Sequence, residues 1–306
     1  MGQGKEVKTR TETPTEIQER GEIFFFYRPK VEREEAHSPD DVQRLYIVLR
    51  PESGERSVES KQSPDSGKEG RISHTNQTKH QGTATEGGLY GVQVHGDGKK
   101  TLPDLSKPST PFWGFVELVT TNIEDIKSAL KGEEYDTATR GHRHKPPARP
   151  LGEGIYRLVR HNPGNRSTHT HLVYKLEFPP KEEKKEPQES LNIERQGSFV
   201  IQIRNPEHGG RGQFQGLQSK RKAVFPAHLH GEFGRRKFIP ADPPDLLNYQ
   251  GCEFLLISAS DDVEEELGLE LETEEGGEQP ECSDLVTTFG ECASAAPLFK
   301  GMFQDL

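Results

Sequence analysis

Short apolar runs, rich in aromatic and β-branched residues, recur along this chain and are separated by polar segments. Residues 23–27 and 45–49 are apolar at every position, and an Arg-Pro pair follows each run. Runs of this length and composition that end at proline are typical of strands covered on both faces. The pattern predicts seven strands, at residues 23–27, 45–49, 113–120, 155–161, 169–178, 199–204 and 254–257.

Turn and capping signals place some of these elements relative to one another. Residues 162–165 read Asn-Pro-Gly-Asn, which predicts an antiparallel hairpin over 155–178. Residues 122–132 show helical spacing between a capping asparagine and a terminal glycine, and a shorter helix is expected at 261–267. The predicted fold class is therefore α+β, a mostly antiparallel sheet or half-open barrel of about seven strands with few helices.

Long polar stretches set the predicted domain boundaries. Residues 52–98 contain scarcely any apolar side chain before Leu89, so we interpret them as a disordered insertion. Residues 1–20 are predicted to be a disordered N-terminus, and the acidic residues 264–306 a largely disordered tail. A single α+β domain is then expected over 21–263, interrupted by the insertion.

Composition limits how much of the chain can be folded. Only 30% of the 306 residues are apolar and 29% are charged. An ordinary globular domain is about 45–50% apolar when glycine is counted. Low-complexity, solvated segments must therefore accompany a core of modest size.

The charge is unevenly divided along the chain. The formal net charge is −10, yet residues 140–240 carry 20 basic and 9 acidic side chains, whereas residues 241–306 carry 1 and 17. A basic middle beside an acidic end indicates that the middle attracts anionic partners, and the acidic tail could dock on this basic face or meet a partner of its own.

The sequence shows neither a membrane-spanning run nor a secretory signal. No run approaches the ~20 apolar residues that cross a bilayer, and the first 22 residues lack the apolar part of a secretory signal. We therefore expect a soluble intracellular protein, cytoplasmic or nuclear, with no membrane partner. The three cysteines include no Cys-x-x-Cys pair and predict neither a disulfide framework nor a zinc site.

The densest group of candidate binding residues lies between positions 140 and 161. Arginine and histidine side chains on a proline-stiffened backbone suit phosphate or carboxylate groups. The predicted ligand-binding residues are Arg140, His144, Arg149, Glu153, Arg157 and Arg160. The alternative interpretation of the same residues is a basic surface loop.

Histidine pairs raise the possibility of metal binding. Three His-x-His pairs occur, and on a strand both members of such a pair project from one face. We treat His169 and His171 as weak candidate metal ligands, because no third ligand is evident and twelve histidines make chance pairs common. No cofactor can be named from the sequence.

Other residues bear on nucleic-acid binding and on nucleophilic catalysis. Basic residues 220–222 and 235–237, interleaved with Phe225, Phe233 and Phe238, would suit nucleic-acid binding by charge neutralisation and stacking. No Gly-x-Ser-x-Gly nucleophile motif occurs, and Cys252 borders an apolar run where a buried thiol is common.

Several longer strings resemble a family of plant and bacterial proteins of unassigned function. The strings include GEIFFFYRPKV, YIVLRP, ARPLGEGIYRLVRH, HTHLVYKLEFP and ADPPDLLNYQGCEFLLISA. The resemblance covers about two-thirds of the chain and implies a single soluble domain. It brings no activity, cofactor or catalytic residue.

The sequence thus leads to three hypotheses. The first is a non-catalytic binding module whose basic Arg/His face receives an anionic small molecule or an acidic protein segment. The alternatives are a metal-dependent enzyme that uses the His-x-His pairs and a nucleic-acid-associated protein. Whether the chain is an enzyme is left open.

Overall fold

The fold is taken from a computed structural model, which describes residues 4–10, 14–33, 35–36, 38–52, 89–94, 100–107, 110–164, 167–179, 188–208, 217, 221–273 and 289. The strands are β1 (Lys5–Lys8), β2 (Thr15–Pro29), β3 (Val42–Pro51), β4 (Leu89–Val94), β5 (Phe112–Thr120), β6 (Glu133–Thr137), β7 (Gly141–Lys145), β8 (Arg149–His161), β9 (His169–Phe178), β10 (Gln196–Arg204), β11 (Phe238–Pro240), β12 (Glu253–Ser260) and β13 (Leu269–Glu272). The α-helices are α1 (Ile123–Leu130), α2 (Ala227–Phe233) and α3 (Val263–Leu267).

Nine of these strands form one antiparallel sheet in the order β11-β10-β12-β5-β4-β3-β2-β8-β9. A further pairing between β9 and β10 brings the sheet back on itself, so that it curls around a core. The predicted strand-rich, antiparallel α+β architecture with few helices is confirmed. The hairpin predicted over 155–178 corresponds to β8 and β9, which pair from Glu153↔Phe178 to His161↔His169.

Side chains alternate between the inside of the curled sheet and its outer face. On β2, Ile23, Phe25 and Tyr27 belong to the inner core, whereas Phe24 and Phe26 belong to a cluster on the outer face. A second outer cluster contains apolar side chains of β8 and β9 together with those of α3 and β13. The continuous apolar runs therefore reflect strands that are covered on both faces.

The folded domain extends beyond the predicted bounds of residues 21 and 263 at both ends. Residues 5–8 and 15–20, which the sequence analysis assigns to a disordered N-terminus, lie in β1 and β2. Residues 264–272, assigned to the acidic tail, complete α3 and form β13, which pairs with β1. Residues 264–272 fold because their sparse apolar residues, such as Leu269 and Leu271, cover the outer face of β8 and β9.

The predicted insertion at 52–98 also contains a strand. Residues 89–94 form β4, which pairs with β3 on one side and β5 on the other. Residues 53–88 and 95–99 lie outside the described residues. The strand escaped prediction because it is short and stands at the end of a long polar stretch.

Arg28 connects the outer face of the sheet to α1. The side chain has no exposed surface, and its guanidinium donates to the hydroxyl of Tyr46 at 3.0 Å and to the carbonyls of Ala129, Lys131 and Pro146 at 2.8, 3.0 and 2.6 Å. A cation at the carboxyl end of a helix satisfies carbonyls that have no partner within the helix. Arg28 thereby fixes α1 against β3.

Candidate functional site

The basic residues of the first predicted site begin on an exposed hairpin formed by β6 and β7. Arg140 lies in the exposed turn, and the half-buried His144 lies on β7, where its backbone amide donates to Glu32 Oε1 at 3.1 Å. The neighbouring strand is acidic, and Glu133 Oε2 lies 3.4 Å from Lys145 Nζ. Glu134 and Asp136 similarly approach the imidazole of His142 at 3.5 and 3.3 Å. The hairpin therefore balances much of its own positive charge.

The other predicted site residues follow one another along β8, where Arg149 is half-buried and Glu153 is buried. Arg157 has no exposed surface, and its Nε donates to Glu6 Oε2 at 2.8 Å. Burial raises the pKa of Glu6, but hydrogen bonds from Arg20 and Arg157 outweigh that effect and leave the pKa below its ordinary value. Arg157 is thus a structural residue that holds β1.

Arg160 is half exposed but is also close to carboxylates. Its Nε lies 3.3 Å from Asp242 Oδ2, and its Nη1 lies 3.7 Å from Glu16 Oε2. A ligand that contacts Arg140 at the tip of the hairpin has no access to Arg157. The six predicted residues therefore do not form one anion-binding pocket.

The two histidines of the pair on β9 differ in burial: His169 is half-buried and His171 is buried. His171 is 3% exposed, and its Nδ1 lies 3.0 Å from Ser198 Oγ and 3.6 Å from Glu266 Oε1. Its Nε2 is buried and has no hydrogen-bond partner among the residues that the structure describes. Burial, and then the charges of His161 and His169, lower the pKa of His171 to about 3. His171 is therefore neutral near pH 7.

This cluster has the residue types of a catalytic relay but not the geometry. A serine nucleophile and its orienting carboxylate must engage opposite nitrogens of the imidazole, whereas Ser198 and Glu266 both approach Nδ1 of His171. The described part of the chain contains no group of three or more His, Cys, Asp or Glu residues that could hold a metal ion. His169 and His171 therefore gain no third ligand from it.

A different basic surface remains exposed around α2. We define the α2 basic surface as Arg221, Arg235, Arg236 and Lys237, all of which are exposed. Residues 221–241 contain five Lys or Arg and one acidic residue, Glu232. Among the residues that the structure describes, none of the four forms an ion pair with a carboxylate. Within the described part of the chain, their charges are therefore not neutralised by a carboxylate.

The fold holds these side chains on a firm support. Leu229 and Phe233 of α2 are 3% and 0% exposed and belong to the inner core. The helix ends at Gly234, whose φ of +52° lets the chain turn into the three consecutive basic residues. Asn205 holds the backbone of these basic residues. Its backbone amide donates to the carbonyl of Lys237 at 2.9 Å, and its side-chain amide donates to the carbonyl of Arg236 at 3.2 Å.

Two of the three phenylalanines that the sequence analysis assigns to base stacking are buried, and the third, Phe238, is half-buried. Phe225 and Phe233 are 8% and 0% exposed, and their ring centroids lie 5.5 Å apart beneath the basic surface. Arg221 instead lies over the ring of Phe115 at 5.3 Å. The sequence indicated the basic run, but it could not show which face of the segment is buried.

No family model, curated protein or solved structure matches this chain. The resemblance to a plant and bacterial family therefore stays a prediction. None of the described helices is long and apolar enough to span a membrane.

Proposed function

We propose that the protein is a non-catalytic binding module that receives an acidic polypeptide segment on the α2 basic surface. The observation that carries the proposal is a set of four exposed cations without a carboxylate partner among the described residues. Elsewhere on the same molecule, exposed or buried arginines such as Arg160 and Arg157 lie beside carboxylates. The contrast supports a role in binding for the four cations of the α2 basic surface.

The chemistry of the surface suits carboxylate side chains. An arginine guanidinium presents paired N–H groups that match a carboxylate, and a firm support reduces the entropy lost on binding. Val224, between Arg221 and α2, is 76% exposed and offers an apolar contact that a polypeptide side chain can use. Nucleic acid is less favoured, because Phe225 and Phe233 are buried and only the half-buried Phe238 remains of the three phenylalanines that could stack on bases.

A binding titration with two anionic probes tests the proposal. A fluorescent ten-residue polyglutamate peptide and a single-stranded DNA of equal length would be titrated with the full chain at low salt. We expect the peptide to bind more tightly than the DNA, and its affinity to fall as salt is added. Arg235→Ala with Arg236→Ala and Lys237→Ala should weaken peptide binding at least about threefold, since three exposed ion pairs contribute about 0.6–3 kcal/mol.

The matched control removes the same charge elsewhere. Arg140→Ala with Arg143→Ala and Lys145→Ala changes the net charge equally but alters the β6–β7 hairpin, and it should leave peptide affinity within about twofold of the native value. Equal losses in the two triple variants would show a non-specific effect of net charge and contradict the proposal. Tighter binding of DNA than of peptide would contradict the acidic-polypeptide assignment and favour nucleic acid.

A further inference from the structure

A patch of apolar side chains faces outward on the strands that lie beside the α2 basic surface. On β10 and β12, Ile201, Phe254 and Leu256 belong to the inner core. Because side chains alternate along a strand, their neighbours in the same strands point outward. We define the β12 apolar face as five half-buried outward residues of β5, β10, β11 and β12, namely Trp113, Val200, Phe238, Leu255 and Ile257.

The register of neighbouring strands brings these side chains together. Leu255 of β12 is opposite Trp113 of β5 on one side and opposite Gln202 of β10 on the other. Val200 of β10 and Ile257 of β12 are also partners. Side chains directly opposed on neighbouring strands lie about 4.5–5.5 Å apart, so these residues form a continuous patch.

The β12 apolar face is not part of the packed interior. None of its five residues belongs to the three apolar clusters found among the described residues. On other outer faces of the sheet, Phe24 packs with Leu130 and Val173 packs with Leu269, and all four are buried. The β12 apolar face therefore keeps apolar surface in contact with water, and removing that surface from water favours docking.

This face continues directly into the α2 basic surface. Phe238 follows Lys237 in the chain, and Lys237 Nζ lies 5.4 Å from the centroid of the Phe238 ring. Arg204, the partner of Phe238 on β10, places its Cζ 4.9 Å from the centroid of the Trp113 ring. These contacts of cations with aromatic rings join the two surfaces. A ligand bound to the exposed cations thus has the apolar face next to it.

The distance between the two surfaces determines which peptide can contact both. Two strands, β10 and β12, separate β11 from β5 in the sheet. Neighbouring strands lie about 4.8 Å apart, so three steps span about 14 Å. An extended peptide advances about 3.3 Å per residue and covers this distance in about four residues. The positive charge at the β11 end requires acidic residues there, and the opposite end requires an apolar side chain.

We propose that the α2 basic surface and the β12 apolar face form one site for an acidic peptide that carries a large aliphatic side chain about four residues beyond its acidic run. The inference rests on the proposed function and adds to it the apolar anchor of the partner. The acidic residues contact the cations of residues 235–237, and the aliphatic side chain covers Trp113 and Leu255. Charge attracts the peptide, and the anchor selects among acidic sequences.

Trp113 is the only tryptophan in the chain, so its fluorescence reports on this face directly. Two peptides without tryptophan would be titrated into the full chain at low salt. One contains five glutamates, three Gly/Ser residues and a leucine, and the other has alanine in place of the leucine. We expect the leucine peptide to bind at least fivefold more tightly and to shift the emission of Trp113 to shorter wavelength, because the leucine excludes water from the ring. Equal affinities, or an emission spectrum that the leucine peptide leaves unchanged, would overturn the proposal.

A pair of matched variants locates the anchor. Leu255→Ser alters the β12 apolar face, whereas Leu118→Ser alters another half-buried leucine, on β5, that packs against the cluster of Phe24 and Leu130. Thermal melting checks that both variants fold. Leu255→Ser should reduce the preference for the leucine peptide to less than twofold, and Leu118→Ser should retain it. Retention of the preference in Leu255→Ser, or its loss in both variants, contradicts the proposal; if Leu255→Ser does not fold, the two peptides on the native chain still decide.

The alanine peptide separates a failure of this inference from a failure of the proposed function. Its binding depends on charge alone and should weaken in the triple variant Arg235→Ala, Arg236→Ala and Lys237→Ala. If it does so but the leucine adds no affinity, the basic surface binds acidic peptides and only the apolar anchor is wrong. If the native chain binds neither peptide, both proposals are wrong.

Discussion

Acidification should destabilise this protein well above the pH at which its carboxylates titrate, because of His171. The side chain is 3% exposed, and burial is the main reason that its folded-state pKa is lowered from 6.5 to about 3. Below pH 6.5 the unfolded chain therefore binds a proton that the folded chain does not bind. Each pKa unit corresponds to 1.36 kcal/mol, so stability falls by about 2 kcal/mol between pH 6.5 and pH 5.

Two neighbouring groups, His161 and Glu266, also contribute to the pH dependence of stability. Burial, followed by the charge of His169, lowers the pKa of His161, so His161 also removes stability as the pH falls. Burial raises the pKa of Glu266, against the hydrogen bond from Ser198. Because the folded-state pKa of Glu266 lies above the ordinary value of 4.5, the folded chain holds this proton more tightly than the unfolded chain does. The contribution of Glu266 to stability therefore falls as the pH rises above 4.5. Glu266 therefore acts in the opposite direction to the two histidines.

Urea unfolding at pH 7, 6 and 5 measures this dependence for the native chain, for His171→Gln and for His142→Gln. The native chain and His142→Gln, which alters an exposed hairpin histidine, should lose about 2 kcal/mol more than His171→Gln over this range. An NMR titration of the His171 ring in the native chain gives the pKa directly. A midpoint near 6.5 would refute the argument, whatever the variants do.

Two further predictions concern the connections that hold the fold. Arg28→Ala should lower the free energy of unfolding by about 3 kcal/mol or more, because it removes a buried donor from the part-buried carbonyls of Ala129 and Lys131 and from the buried carbonyl of Pro146; urea denaturation with exposed Arg140→Ala as control measures the difference. Replacing residues 54–87 by a short Gly/Ser linker should change the melting temperature by only a few degrees, since each doubling of loop length costs about 0.6 kcal/mol. The same deletion extended through Val94 removes β4 from between β3 and β5 and should abolish cooperative melting; equal melting of the two deletions would contradict this role for β4.

Local signals were sufficient for the elements whose residues are close in sequence. The helix α1 begins after Asn122, whose side chain accepts a hydrogen bond from the amide of Glu124, as the capping pattern predicts. The β8–β9 hairpin surrounds the predicted Asn-Pro-Gly-Asn turn. Period-two alternation also separates Ile23 and Phe25 from Phe24, although the sequence could not show which set faces inward.

The roles of the candidate site residues were decided by contacts between distant parts of the chain. Arg157 is a plausible anion ligand in sequence, but Glu6, 151 residues away, binds it beneath β1. Likewise, Phe289 stands in an acidic stretch with no strand pattern, yet its ring packs on Phe24 and Phe26, which precede it by more than 200 residues. The sequence by itself determined the strand-rich class, two of the helices and the basic character of the middle segment, because propensity, capping and charge act over a few neighbouring residues. Only the tertiary structure decided which charges are paired and which apolar faces are covered, because burial and pairing depend on partners that the curled sheet brings together.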